Sequence, residues 1–157
     1  MKVIPVNYAL EFEPIFKNFT FNGKEIITVE CKELVNSITL HCAELKISSC
    51  HVRHNGIYEK AVTKINVKKE ELTIIIKNKI KGKAFVEIEF TGELNDRLLG
   101  FYRSQYKQNG KTKYLATSQF EAADARRAFP CWDEPEAKAT FDISIIAENK
   151  FTAISNM

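Results

Sequence analysis

The chain has 157 residues and a net charge of +3. That length suits one core-forming domain, and the charge is too small to point to nucleic acid. No apolar run reaches the roughly 18 residues of a membrane span, and the opening MKVIPVNYALEFE has no apolar signal-peptide core. The expectation is therefore one domain over residues 1–157, with no nucleic-acid or membrane partner. Cys31, Cys42, Cys50 and Cys131 form no CxxC pair, and a cytoplasmic setting with reduced thiols is expected.

Val6 to Glu13 alternates, with Tyr8, Leu10 and Phe12 on one face, which predicts a half-buried strand. Asn22-Gly23 predicts a hairpin turn, because both positions tolerate positive φ. The returning strand puts Ile27, Val29 and Cys31 on one face. Ile38, Leu40 and Cys42 begin a further alternation, continued by Leu45, Ile47 and Val52, before a turn at Asn55-Gly56. Val62–Val67 and Leu72–Ile76 read as two short strands around the polar KKEE turn. The basic run Lys77–Lys83 reads as a solvated strand end and turn. Phe85, Ile88 and Phe90 lie in a strand expected to stop at Thr91-Gly92.

Beyond an irregular stretch from Leu94, the QNGK at Gln108–Lys111 is a turn and Tyr114–Phe120 a strand. Ala122–Ala128 is rich in helix formers, but Pro130 and Pro135 limit it to one helical turn. Phe141, Ile143 and Ile145 resume the alternation, and Phe151–Ser155 is expected to open another strand. Short strands punctuated by Gly and Asn predict an all-β fold, an antiparallel saddle-like β-sandwich with one short helical turn. The AISNM ending follows an apolar alternation, so the domain is read as cut short at its C-terminal end.

Few residues offer chemistry. His41, His51 and His54 lie near cysteines, but HExxH is missing. On alternating strands His41 and Cys42 point to opposite faces, as do Cys50 and His51, so no metal ligands are assigned. Cys131, between Pro130 and Trp132, reads as a packing thiol made inert by burial. Asp133 and Glu134 diverge and are expected to accept hydrogen bonds from Arg126, Arg127 or local amides, as a clamp on an irregular segment. Gln119 and Glu121, one residue apart on a strand, share a face. A carboxylate beside a neutral amide suits a ligand ammonium group, although a solvated polar face has the same pattern.

The run QFEAADARRAFPCWDEPEAKATFDISI, with DARRAFPCWDEP at its centre, resembles the N-terminal domain of gluzincin-type zinc aminopeptidases. The opening VNYAL and the Phe21-Asn22-Gly23 stretch are similar to that domain's first strands. The resemblance implies a saddle-like β-sandwich packed on a thermolysin-like catalytic domain, peptide substrates, and zinc held by HExxH and a distal Glu outside this chain. There the zinc-bound water attacks the first peptide bond, with the HExxH glutamate as base. Carried over, Glu121 corresponds to the position that helps hold the substrate α-amine, and Gln119 to the glutamine lining the first side-chain pocket. Arg126, Arg127, Phe129, Pro130, Cys131, Asp133, Glu134 and Pro135 correspond to residues that shape the loop presenting them. With no zinc ligands and no base, the chain alone is expected to be inactive. A stand-alone, non-catalytic β-sandwich binding peptides or a protein is the alternative, and a purely structural module a third reading.

Overall fold

The computed structural model describes residues 1–155; Asn156 and Met157, at the end of the AISNM run, lie outside the described residues. Among the described residues, nine strands follow in order: β1 (Val3–Ile15), β2 (Thr20–His41), β3 (Lys46–His54), β4 (Ile57–Lys60), β5 (Val62–Asn66), β6 (Glu71–Glu93), β7 (Gly100–Gln108), β8 (Lys111–Gln119) and β9 (Thr140–Ile145). The fold is all-β. Its larger sheet runs β4-β3-β6-β2-β1-β9, with β5 pairing β6 off that path, and β7-β8 form a separate hairpin. The sheet is mixed rather than wholly antiparallel, because β9 lies parallel to β1 from Asn7↔Thr140 to Phe12↔Ile145. A parallel neighbour needs a long crossover, and β2 to β8 all intervene in sequence.

The long strands β2 and β6 each absorb what the sequence presents as two alternations. Residues 20–31 of β2 pair with 82–93 of β6, residues 35–41 pair with 71–80, and the register shifts between Cys31, Val35 and Ser37. Both halves line one apolar cluster: Ile27, Val29, Val86 and Ile88 from one, and Ile38, Leu40, Leu72 and Ile74 from the other. Each such side chain contributes about 1.5–3 kcal/mol by leaving water. The basic run Lys77–Lys83 does not end a strand. It spans the register break inside β6, where Ile80 turns inward to the core.

Two predicted turns are strand interior. Asn22-Gly23 lies inside β2, and the β1–β2 turn falls at residues 16–19, where Phe19 has φ 54°. Thr91-Gly92 lies inside β6, which continues to Glu93. The reason is steric. Gly23 pairs with Phe90, and Gly92 with Phe21. A Cβ on Gly23 would lie 2.2 Å from the Phe90 ring, and one on Gly92 would lie 2.3 Å from the Phe21 ring. These glycines make room for aromatic rings rather than for positive φ. The other turns fall where predicted: Asn55 and Gly56 have φ 47° and 78°, and Asn109 and Gly110 have φ 51° and 74°.

The stretch from Leu94 is more regular than its sequence suggests, since β7 occupies Gly100–Gln108. The helical turn shrinks to a 3₁₀ turn at Ala125–Arg127. Phe151–Ser155 forms no strand; Phe151 instead stacks on Phe16 at 4.9 Å.

Candidate functional site

Gln119 is the last residue of β8 and pairs with Gly100 across the hairpin. Phe120 leaves the ladder, and Glu121 opens a turn over residues 121–124. The strand-face argument for the pair therefore does not hold, because β8 ends before Glu121. The ladder places Gln119, and the turn beyond it places Glu121. Phe120, between them, packs edge-on to Phe129 at 5.9 Å. The Asp124 amide donates to the Phe120 carbonyl at 2.9 Å. Gln119 and Glu121 are both exposed.

The segment after the turn is anchored in the core. Phe129 is 4 % exposed and meets Tyr8, Phe12, Phe120 and Phe141 edge-on, at centroid distances of 5.8–6.3 Å. Pro130 and Cys131 are buried beside it. Cys131 exchanges two backbone hydrogen bonds with His41, of 2.7 and 3.0 Å, which join the segment to the end of β2. Burial pushes the Cys131 thiol well above its usual range, with Asp133 adding to the effect. This agrees with an inert packing thiol.

The arginines divide their partners differently from the sequence expectation. Arg126 donates from Nε to Asp133 Oδ2 at 2.9 Å and from Nη1 to Glu70 Oε2 at 3.2 Å. Arg127 donates to Asp124 at 2.9 Å, to Glu44 at 2.6 Å and to Glu70 Oε1 at 3.0 Å. Glu44 also takes a two-pronged contact from Arg97. Asp133 is thus the partner expected for Arg126, but Glu134 is not in the clamp. Glu134 is exposed and sits 3.8 Å from His41 Nε2, while Pro135 is exposed at the rim. The Glu134 carbonyl accepts from the Ala137 amide at 3.0 Å.

Partial burial opposes the charge on both arginines. For Arg126, Asp133 and then Glu70 outweigh it; for Arg127, Asp124, Glu44 and Glu70 do. Both guanidinium groups are held above their usual range. The Arg97 hydrogen bond, with Arg127 adding, holds Glu44 below the usual carboxylate range. Glu44 and Glu70 were not singled out in the sequence. They lie in the β2–β3 and β5–β6 connections, and nothing local marks either as an arginine partner.

The histidines are engaged separately. His41 Nδ1 accepts from the Asp133 amide at 3.1 Å, His54 Nδ1 lies 3.0 Å from the Lys83 carbonyl, and His51 stacks on Tyr58 at 4.9 Å. Among the described residues, no group of three His, Cys, Asp or Glu side chains is placed to hold a metal ion.

Residues 4–157 match the family model described as the Peptidase M1 N-terminal domain. The chain is 44% identical over 158 residues to Aminopeptidase 2 of Candida albicans, covering 98% of this chain and 17% of that protein. It is 40% identical over 162 residues to the alanine/arginine aminopeptidase of Saccharomyces cerevisiae, covering 99% and 19%. It is 41% identical over 157 residues to the puromycin-sensitive aminopeptidase of Caenorhabditis elegans, covering 98% and 17%. The chain therefore spans less than a fifth of the length of these relatives.

Proposed function

Because the chain belongs to the Peptidase M1 N-terminal domain family, we propose that it serves as the N-terminal domain of a larger zinc aminopeptidase. In this reading the whole protein removes amino-terminal residues from peptides. The domain lends Glu121 to the substrate α-ammonium and Gln119 to the first side chain. The observation that carries the reading is the exposed amide and carboxylate flanking Phe120, whose ring meets Phe129 edge-on. An exopeptidase must recognise a chain end, and a fixed carboxylate facing an ammonium group does so by charge and hydrogen bonding.

Zinc would supply the Lewis acid and the nucleophilic water. Among the described residues, the side chains do not fit the metal. The histidines point to separate partners, and all four cysteines are buried. In this reading the zinc ligands and a thermolysin-like catalytic domain lie elsewhere in the larger protein, and no step through zinc is assigned to these residues.

The test is the full-length protein with Glu121→Ala and Gln119→Ala, assayed on aminoacyl chromogenic substrates. A charged hydrogen bond is worth about 1.5–3 kcal/mol. Glu121→Ala should thus lower kcat/KM by roughly 10- to 100-fold, mostly through KM. Gln119→Ala should change the ranking of first side chains. Unchanged kinetics in both would remove the assigned roles.

A further inference from the structure

The exposed pair Gln119–Glu121 is not held by a sheet ladder on both sides, so something else must fix where it stands. Arg127 is the junction. Its Cβ occupies the space a Cβ on Gly100 would need, at 2.7 Å, and Gly100 is the residue paired with Gln119. Its Nε holds Asp124, the last residue of the turn that Glu121 opens. Its two terminal nitrogens reach Glu44 and Glu70 on the main sheet's connections. Among the described residues, only Glu70 is shared by both arginines, with one oxygen on each. It therefore offsets the repulsion between adjacent guanidinium groups that are 13 and 18 % exposed. The Glu70 carbonyl also accepts from the Cys42 amide, while the Arg126 carbonyl accepts from Ala43, so both sides of the clamp are tied to the end of β2.

From this geometry we propose that Glu70 is a positioning residue for substrate recognition. It orients Arg127, and through Arg127 it sets the place of Gln119 and the Glu121 turn. The inference rests on the substrate role given to those two residues. Glu70 lies 57 positions before Arg127 in sequence, and its proposed role is to act through that arginine.

Glu70→Ala and Glu70→Gln are compared with Glu121→Ala in the full-length protein, with melting temperatures measured alongside kinetics. Glu70→Ala should raise KM on the order of fivefold, the effect of about 1 kcal/mol at the site, with kcat within about twofold. Glu70→Gln keeps one acceptor oxygen and should recover part of the KM. A merely structural role would lower the melting temperature and the active fraction, hence kcat, and leave KM alone; that result overturns the proposal. A KM shift in Glu121→Ala with none in either Glu70 variant overturns it too, while the substrate reading stands. No effect of Glu121→Ala defeats the substrate reading, and this inference with it.

Discussion

Glu25 is fully enclosed by the core, and neither carboxyl oxygen has a hydrogen-bond partner among the described residues. It faces inward between Leu10 of β1 and Ile88 of β6. The titratable groups that sense its charge are Tyr8, Cys42, Cys50 and Cys131, none of them a cation. Desolvation alone pushes its pKa well above the usual 4.5, so folding favours the neutral carboxyl. A raised folded pKa means that its contribution to stability is complete below the unfolded value and is lost as pH rises toward the folded one. Each pH unit in that window costs about 1.4 kcal/mol. Glu25→Gln should flatten the fall in stability above about pH 5, as read by denaturant titration across pH. A parallel pH dependence in both proteins would disprove a buried neutral carboxyl. The thiols give a second residue-scale expectation. Burial pushes Cys42 and Cys50 up to about 12, so alkylation at pH 8 should label them only after unfolding. Rapid labelling of the native chain would contradict their burial.

At the scale of elements, the paired strands β2 and β6 explain the main misreading. Asn-Gly is a strong hairpin signal when its positive φ is needed, and at Asn55-Gly56 and Asn109-Gly110 it is. At Asn22-Gly23 the same dipeptide sits opposite an aromatic residue in a continuous ladder. The local sequence is the same in kind, and only the cross-strand partner distinguishes the two uses. Phe90 is 1 % exposed and has nowhere to retreat from a new methyl group. Gly23→Ala should therefore destabilise by about 1–3 kcal/mol, the usual cost of overpacking, whereas a true turn glycine would lose stability through φ strain instead. Combining Gly23→Ala with Phe90→Leu should recover part of the loss in thermal melts. No recovery would rule out the ring clash. The clamp follows the same logic: Asp133 was legible as an Arg126 partner because it is seven residues away, whereas Glu44 and Glu70 were not.

Across the whole molecule, the parallel strand β9 forms one edge of the larger sheet and leaves Phe141, Ile143, Ile145 and the adjoining Ile146 between 37 and 51 % exposed. An apolar edge strand is a template for association. The isolated chain should self-associate with rising concentration, and Ile143→Lys should suppress this in sedimentation experiments; concentration-independent monomers of the parent would refute it. Much of this architecture can be read along the chain. Period-two alternation marks the inward faces of β1, β2, β3 and β6, because side chains in any strand alternate between core and water. The motif from Gln119 to Pro135 likewise carries its family in its own residues. The tertiary structure alone decides that two alternations merge into one long strand and that β9 returns beside β1. It also decides that a glutamate can stand inside the core and that Glu70 bridges two arginines. Each of these depends on which distant segments become neighbours, and that is settled by the free energy of the packed whole rather than by any local preference.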